Sequence, residues 1–434
     1  MSEPHPPSGM PGPGMPGMPG GAPPLPFPPG TFPPGVDPTT WRVEEVTRQL
    51  RRAAYLPIFS VADPSRVNRP IPLAPWLPFA ITAVEVHESL HRFEVASEVT
   101  AGGLGAVNRV GEPAARVHIR WTVIPHSYRA SPDCLPPPTV LIPFLSQRFA
   151  MLDGEMSYLD AAGSGFHGFG AGRTFPVVEG GKRKLRIGAV IDVLEGFGAF
   201  AGLPGTVVVN GTIEPPHGLA LNMMVRFVDL DERLLADGAL APIDPIPSPD
   251  PSATFVAFLG EPDPSAGTEL IVGPDGSMQG AHVVERLRSI RLGFDLETGR
   301  PRALAEPGPV VGSLAGRLYF NPFAAPPGAP VPFQTRSGVF RFHDPEGQPV
   351  GTLEANVVEG RGFATPLPGA PLPVFRFGGF GPVIGGTGAL AGASGLMSLN
   401  AAISVFPRTL SNLYVFRLED PQGRFRRAFG GDCG

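Results

Sequence analysis

Glycine and proline punctuate this sequence so densely that long helices are excluded. Each occurs 57 times in 434 residues. Together they make up about twice the roughly 12% that the two residue types average in proteins. Inside a helix, glycine costs about 1 kcal/mol and proline about 3 kcal/mol relative to alanine. Segments such as 117–123 and 205–209 are instead short apolar or alternating runs rich in valine, which is typical of strands. The pattern therefore predicts an all-β protein.

A glycine-rich string occurs twice in the chain, 190 positions apart. Residues 195–213 read EGFGAFAGLPGTVVVNGTI, and residues 385–403 read GGTGALAGASGLMSLNAAI. Both copies keep four glycines, which are Gly196, Gly198, Gly202 and Gly205 in the first and Gly386, Gly388, Gly392 and Gly395 in the second. Because the spacing is kept as well as the residue type, the string favours an internal duplication.

The alignment of the two halves extends on both sides of this string. Downstream it is expected to run without a gap, and upstream the offset grows, as insertions would require. The further aligned pairs are Asn222 with Asn412, Val225 with Val415, Gly165 with Gly362, Phe166 with Phe363, and Phe93 with Phe294. The duplication is therefore predicted to span most of both halves.

The glycine-rich string is predicted to form a structural turn. Glycine permits positive φ and close backbone approach, and the sharp coiling of a closed barrel calls for both. A phosphate-binding loop would need a helix after the glycines. The residues after Gly205 are Thr-Val-Val-Val, which favour a strand, so the turn interpretation is preferred.

The segment Gly385-Gly386-Thr387-Gly388-Ala389-Leu390 resembles the Gly-Gly-[Ser/Thr]-Gly-x-[Phe/Leu] turn of allene oxide cyclases and plant dirigent proteins. Residues 195–200 match that wording less closely. The resemblance implies two fused antiparallel closed β-barrels, each eight-stranded around an apolar cavity. It also implies chemistry in which the protein mainly restricts the geometry of a reactive apolar molecule. No catalytic residue of either family lies within the matched turn, so none is carried over.

The expected organisation has five parts. Residues 1–36 are a disordered Pro/Gly/Met-rich arm, because they bury too little surface to offset ordering entropy. Residues 37–54 contain a short helix, with Asp37 as N-cap and Val43, Val46 and Leu50 packed on the first domain. Residues 55–235 form the first barrel, 236–252 a Pro-rich linker, and 253–430 the second barrel.

Charge and composition exclude several classes of protein. The formal net charge is −5, whereas proteins that coat nucleic acid carry a basic excess. Residues 377–407 lack charge but are broken by glycines, which argues against a membrane-spanning helix. Two cysteines and no apolar leader predict a reduced, cytoplasmic protein. No cofactor is implied.

Four residues are candidate catalytic groups if they face an apolar interior. They are Glu155, Tyr158 and Asp160 in the first half and Glu354 in the second. A carboxyl group there has a raised pKa and can act as a general acid or base. The alternative is that these side chains point outward into water. The first half has more titratable residues near its glycine-rich turn and is favoured.

The segment His87-Glu88-Ser89-Leu90-His91 fits the pattern H-E-x-x-H. On a helix, His87 and His91 would bind zinc and Glu88 would act as general base. In a strand, the two histidines would lie about 13 Å apart, too far to share one metal ion. The matching segment of the second half reads as a strand, so no metal site is predicted on the preferred interpretation.

Three functions follow, in order of preference. The first is a cyclase or isomerase that acts on a hydrophobic small molecule of secondary metabolism held in a barrel cavity. The second is a non-catalytic protein that binds a hydrophobic ligand or serves as a scaffold, with the arm docking to a protein partner. The third is a zinc hydrolase that uses His87, Glu88 and His91.

Overall fold

The structure is a computed structural model. It describes residues 43–63, 65, 69–72, 82–124, 148–158, 163–179, 181–214, 218–235, 240–266, 269–274, 278–295, 301–320, 329–366, 374–404 and 409–426. Within these ranges, side chains at 43–45, 69–72, 82–85, 121–124 and 148–158 are not described. The predicted arm and the helix start at Asp37 lie outside the described residues.

The prediction of an all-β protein is confirmed, because the described residues are almost entirely strand. The one α-helix among them is α1 (Val43–Arg51). The strands of the first half are β1 (Ala53–Ala62), β2 (Arg69–Pro72), β3 (Thr82–Thr100), β4 (Gly103–Ile124), β5 (Arg148–Tyr158), β6 (Gly165–Glu179), β7 (Lys182–Phe197), β8 (Gly205–Glu214) and β9 (Gly218–Val228).

The second half repeats this order with one strand split in two. Its strands are β10 (Ala253–Pro262), β11 (Glu269–Val272), β12 (Met278–Asp295), β13 (Arg302–Phe320), β14 (Val331–His343), β15 (Pro349–Ala355), β16 (Glu359–Thr365), β17 (Val374–Gly388), β18 (Gly395–Ser404) and β19 (Thr409–Glu419). Most of the uncharged stretch 377–407 therefore lies in two strands, β17 and β18. Among the described residues, no helix is long and apolar enough to cross a membrane.

The strands pair antiparallel in two circuits. In the first half, ladders join β1, β3, β4, β5, β6, β7, β8 and β9 in that order, and β9 pairs with β1. In the second half, ladders join β10, β12, β13, β14, the pair β15 and β16, β17, β18 and β19, and β19 pairs with β10. We call these circuits the first ring and the second ring.

The ladder registers correct the upstream part of the sequence alignment. Ser60 pairs with Leu90 in the first ring, and Gly260 pairs with Leu287 in the second. A β-bulge follows Leu90 and another follows Leu287. These matched positions make Ile290, not Phe294, the counterpart of Phe93. Phe166 and Leu353 pair with the equivalent residues Gly196 and Gly386, so the predicted match of Phe166 with Phe363 is also wrong.

The downstream alignment needs a gap that the sequence did not reveal. Gly205 pairs with Phe227, whereas Gly395 pairs with Leu418, so the offset is 190 on one strand and 191 on the next. The cause is the connection between them, which spans residues 215–217 in the first half and 405–408 in the second. A one-residue change of register moves a side chain to the other face of a sheet. Asn222 and Asn412, predicted to be equivalent, therefore lie on opposite faces.

The glycine-rich string forms the same tight turn in both halves. Gly198 and Gly388 have φ values of 62° and 60°, which L side chains rarely adopt. Each turn ends on a fully buried side chain, Phe200 or Leu390, and is followed by a strand rather than a helix. The string therefore shapes the fold, and its backbone does not open a helix that could hold a phosphate.

Two buried asparagines join the rings to each other. The Asn210 amide donates to the carbonyl oxygens of Leu396 at 2.8 Å and Val415 at 3.2 Å. Asn400 reciprocates with carbonyl oxygens of β8 and β9, at 2.9 and 3.1 Å. The accepting residues are equivalent under the strand registers, so one contact occurs twice in opposite directions.

Two arginines make a second reciprocal pair of contacts. Arg186 of β7 donates to the carbonyl oxygen of Gly395 at 3.1 Å. Arg376 of β17 donates to the carbonyl oxygen of Gly205. The two arginines are separated by the same 190 positions as the two glycines.

An ion cluster without a strict counterpart is buried beside these contacts. The Arg417 guanidinium binds both carboxylate oxygens of Glu179, at 3.0 and 2.9 Å, and Asp250 at 2.8 Å. Arg186 adds a 2.6 Å bond to Glu179. Burial alone would raise the pKa of Glu179, but the two guanidinium groups outweigh burial and hold that pKa below its ordinary value.

Helix α1 and the linker pack on both halves. Val46 and Leu50 cluster with Val228 of the first half and with Val374 and Ala402 of the second, so the helix does not contact the first domain alone. The helix ends at Arg51 and β1 begins at Ala53, two residues before the predicted boundary. Residues 240–252 carry no regular structure but pack along the sheet, and the backbone N–H of Ile246 donates to Val110.

We predict that Arg417→Ala lowers the free energy of unfolding by about 3–5 kcal/mol, because it removes the guanidinium partner of buried Asp250 and leaves Glu179 with Arg186 alone. Chemical denaturation followed by circular dichroism measures the change. The matched control is Lys182→Ala, which breaks the solvent-exposed pair with Glu214 and should leave stability nearly unchanged. Equal losses in the two variants would contradict the assignment.

Candidate functional site

The most unusual side chain in the second ring is a carboxylic acid on the interior face of β12. Residues 281–287 alternate between buried and half-buried, as expected of a strand with one face inside. Glu285 lies on the inner face between Val283 and Leu287 and is 1% exposed. An ionisable group in such surroundings requires an explanation, because burying a charge is costly.

Two side chains of β19 hold one oxygen of this carboxyl group. The Tyr414 hydroxyl donates to Glu285 Oε1 at 2.9 Å, and the Asn412 amide donates to the same oxygen at 2.8 Å. The Asn412 amide also lies 3.0 Å from the Tyr414 hydroxyl. Tyr414 and Asn412 are two residues apart and therefore share a face of the strand.

The other oxygen, Glu285 Oε2, has no hydrogen-bond partner in the part of the chain that the structure describes. It lies against Gly260 of β10, where a Cβ atom would collide with it. The equivalent of Gly260 in the first ring is Ser60, and its hydroxyl donates to Glu88 Oε2. The absence of a side chain at Gly260 thus leaves one carboxyl oxygen in the second ring unsatisfied.

Burial raises the pKa of Glu285 to about 8, and the hydrogen bonds from Tyr414 and Asn412 offset burial only in part. The group is therefore mainly the neutral acid at pH 7. Since Oε1 accepts both hydrogen bonds, the acidic proton belongs on Oε2. Burial and the nearby carboxyl group also raise the pKa of Tyr414 well above its ordinary value, so the phenol remains a donor.

These residues lie at one side of a cavity of about 40 Å³ inside the second ring. Its wall is otherwise mostly apolar and includes the aromatic rings of Phe333, Phe340 and Phe377. That volume accommodates about three water molecules, whereas pockets that enclose a whole drug-sized ligand measure about 300–1,000 Å³. At this volume, the cavity has room for the reacting end of a larger molecule but not for the whole molecule.

The first ring has an acid at the equivalent position with different neighbours. Burial raises the pKa of Glu88 to about 7, and the hydrogen bond from Ser60 opposes the shift. The residues equivalent to Asn412 and Tyr414 are Leu221 and Met223, which donate no side-chain hydrogen bond. The two acids share a position on the fold but differ in how they are supported.

The residues predicted from sequence do not assemble this site. Glu354 is an exposed side chain of β15, so it points away from the interior. Glu155 and Tyr158 lie in β5, but their side chains are outside the described part, as is the whole of Asp160. The sequence favoured the first half, whereas the cavity and its supported acid belong to the second.

The H-E-x-x-H segment lies in strand β3 rather than on a helix. Glu88 faces the interior and His87 the opposite side, while the buried ring of His91 contacts the carbonyl oxygen of Gly111 at 2.9 Å. The helical arrangement that would let His87 and His91 bind one zinc ion is therefore wrong. Among the described side chains, no group of three or more His, Cys, Asp or Glu could hold a metal ion.

Sequence reasoning missed Glu285 because of the upstream alignment. An offset of 197 aligns Glu88 with Glu285, whereas the match of Phe93 with Phe294 used an offset of 201. No local pattern marks Tyr414, and a constant offset of 190 matches Asn412 with Asn222. The available signal was a glutamate with apolar residues two positions away on each side, Val86 and Leu90 around Glu88 and Val283 and Leu287 around Glu285.

Comparisons with known proteins add no relative. No family model matches the chain, and no curated protein or solved structure matches it significantly.

We predict that Glu285→Gln removes a pH dependence of stability. The folded protein holds the Glu285 proton up to about pH 8, and the unfolded chain releases it near the ordinary value of 4.5. Wild-type stability should therefore fall as pH rises between these values, by up to about 1.4 kcal/mol per pH unit from this group. Denaturation at several pH values measures the difference between variant and wild type.

Glu88 contributes a similar fall through about pH 7 in both proteins, so the difference between them isolates Glu285. The variant should gain stability relative to wild type from about pH 5 to 8 and level off above. Parallel pH profiles for the two proteins would show that Glu285 is ionised in the fold.

Proposed function

We propose that this protein is an isomerase or cyclase of a hydrophobic small molecule and that Glu285 is its general acid. The observation that carries the proposal is that Glu285, a buried carboxyl group whose Oε2 has no hydrogen-bond partner among the described residues, lines an apolar cavity. General acids work best when their pKa lies near the operating pH. Burial brings the pKa of Glu285 to about 8, and perturbed groups of this kind cluster at functional sites.

The proposed step transfers the proton from Oε2 to a double-bond carbon, or to an epoxide or carbonyl oxygen, of the substrate. The electron pair of the O–H bond stays on the carboxylate, and the substrate becomes a cation that rearranges or closes a ring. Loss of a proton from that cation to the carboxylate forms the product and restores the acid. Substrate and product are isomers, so no oxidant or second reactant is needed.

The neighbours of Glu285 suit this chemistry. Tyr414 and Asn412 donate to Oε1 and stabilise the carboxylate that forms when the proton leaves. Phe333, Phe340 and Phe377 line the cavity. Aromatic rings attract a developing cation, and an apolar wall excludes the water that would trap it. The polar groups are few, so most of the wall selects for an apolar substrate.

The architecture that holds Glu285 is also part of the proposed function. We infer that the two rings are closed β-barrels that arose by duplication of one half. The equivalent ladders, the repeated turn at Gly198 and Gly388, and the reciprocal contacts of Asn210 and Asn400 support this. Such an architecture also fits the resemblance to allene oxide cyclases and dirigent proteins, whose barrels constrain reactive apolar molecules.

We predict that Glu285→Gln abolishes turnover while preserving ligand binding. The amide has the same shape but cannot supply the proton, so the rate should fall about 10²–10⁴-fold. The assay incubates the full chain with a panel of unsaturated fatty-acid epoxides and linear polyprenoid compounds and detects products of unchanged mass by chromatography and mass spectrometry. Binding of the same compounds is measured by intrinsic fluorescence or calorimetry.

Glu354→Gln is the matched control, because that glutamate is exposed and should leave turnover unchanged. If the wild-type protein binds these compounds but does not convert them, the proposal is wrong and the protein is a non-catalytic carrier of hydrophobic ligands. If Glu285→Gln still converts the substrate, another residue is the general acid, and Glu88→Gln is the next variant to test.

A further inference from the structure

A second pocket lies beside the cavity that Glu285 lines. It measures about 550 Å³, and its wall includes Tyr319, Gln334, Glu359 and Arg361. That volume falls within the range of about 300–1,000 Å³ for pockets that enclose a small molecule. The Gln334 side chain is exposed, so the pocket opens at the protein surface. We call this space the outer pocket.

Polar residues of the outer pocket come from outward-facing positions of the second ring. Tyr319 of β13 pairs directly with Gln334 of β14. Leu318 and Phe320, on either side of Tyr319, are buried in the interior cluster. Because side chains alternate along a strand and ladder partners share a face, Tyr319 and Gln334 project from the opposite face.

Phe333 belongs to the walls of both the outer pocket and the cavity of Glu285. Its ring packs edge-on against Phe377 of the cavity wall, with centroids 4.8 Å apart. Phe333 also pairs with Gly360 of β16, which lines the outer pocket. A Cβ atom at Gly360 would collide with the Phe333 ring. Phe333 therefore separates the two spaces.

Arg361 of β16 supplies a positive charge to the outer pocket. The residue is half-buried, and within the described part of the chain its guanidinium group has no hydrogen-bond or ion-pair partner. A cation in this position loses part of its hydration without gaining a counter-ion. A ligand oxyanion would supply the missing partner, because guanidinium binds carboxylate and phosphate groups through two parallel hydrogen bonds.

The strand registers make Arg173 the equivalent of Arg361 in the first ring. The Arg173 guanidinium lies over the ring of Phe175, 5.3 Å from its centroid. In the second ring the equivalent aromatic residue is Phe363, and Arg376 covers it instead, at 5.6 Å. The position that binds its own neighbour in the first ring is thus available to a ligand in the second.

Positive charge predominates around the outer pocket. Among the described residues, its wall contains one acid, Glu359, and one base, Arg361. A second guanidinium, that of Arg336, lies 5.2 Å from the centroid of the Tyr319 ring. Arg317 is directly opposite Arg336 in the ladder of β13 and β14, and both arginines are exposed. The surroundings therefore favour an anionic ligand over a cationic one.

We propose that the outer pocket binds the anionic end of an amphipathic substrate, an oxyanion on an apolar chain whose other end reaches Glu285. Arg361 binds the oxyanion, and Phe333 controls passage of the chain into the cavity. The inference rests on the proposed function, since Glu285 is the acid that the chain must reach. The cavity of about 40 Å³ has room for the reacting end, and the outer pocket supplies the remaining volume. Rotation of the Phe333 side chain joins the two spaces.

The test measures binding of oleic acid, oleyl phosphate and oleyl alcohol to the full chain by displacement of Nile red, below micellar concentrations. These probes share one apolar chain and differ in the head group. Wild type should bind the oxyanions about tenfold or more tightly than the alcohol. Arg361→Gln should remove that preference and leave binding of the alcohol unchanged. The tighter of the two oxyanions identifies the head group as carboxylate or phosphate.

Arg341→Gln is the matched control, because Arg341 is an exposed arginine of β14 that does not line the outer pocket, and its loss should leave the preference unchanged. Circular dichroism checks that each variant is folded. Equal affinities of wild type for the three probes, or a preference that survives in Arg361→Gln, would overturn the proposal.

Phe333→Ala should tighten binding of all three probes, because the chain then enters the cavity without displacing the ring, and a folded Phe333→Leu variant replaces it if the alanine variant unfolds. Unchanged binding in the folded variant would show that Phe333 is not the partition. These readouts do not depend on turnover. If Glu285→Gln abolishes turnover but wild type shows no oxyanion preference, the proposed function stands and this inference fails.

The opposite result is equally distinct. An oxyanion preference that depends on Arg361, in a protein without turnover, would support the outer pocket and exclude the proposed function. Where turnover is measured, Arg361→Gln should raise KM for the oxyanion substrate with little change in kcat, because it removes binding that the ground state and transition state share.

Discussion

The amide groups of Asn210 and Asn400 determine how the two rings meet, and the rest of the structure depends on that contact. A buried amide is costly unless it is hydrogen-bonded. Each asparagine finds its acceptors on two strands of the other ring, so a slip of the interface would leave both amides unpaired. Arg186 and Arg376 enforce the same register through carbonyl oxygens. The interface strands that carry these contacts include β19, which also supplies the neighbours of Glu285.

The candidate site shows how a small change in support alters the chemistry of one buried acid. Glu88 and Glu285 occupy equivalent positions and both have raised pKa values. The Ser60 hydroxyl donates to Glu88 Oε2, whereas Gly260 has no side chain and Glu285 Oε2 has no hydrogen-bond partner among the described residues. Tyr414 then holds the other oxygen. A buried polar atom without a hydrogen-bond partner is costly for stability, and the proposed role of Glu285 as a general acid supplies a reason for its presence.

The sequence predicts those features that local residue chemistry determines. It does not predict the features that depend on the register between strands. The glycine and proline load predicted strands, and the spacing of Gly198 and Gly388 predicted equivalent turns. Which side chains face inward depends on ladder register, and periodicity alone does not give it. Glu354, a candidate only if it faced the interior, is exposed, as the alternative interpretation expected. Glu285 was overlooked because bulges and loop lengths, which set the upstream offset, leave little signature in composition.

The extra residue between β18 and β19 leaves the positions of the strand that follows unchanged. Tyr55 pairs with Arg226 and Phe255 with Arg417, so the two arginines match although the offset has grown from 190 to 191. A connection of variable length uncouples one strand from the next, so each strand keeps its inward positions while residues are gained or lost between them. The contrast between Leu221 and Asn412, and between Met223 and Tyr414, therefore lies in the side chains themselves, at positions that the fold holds fixed.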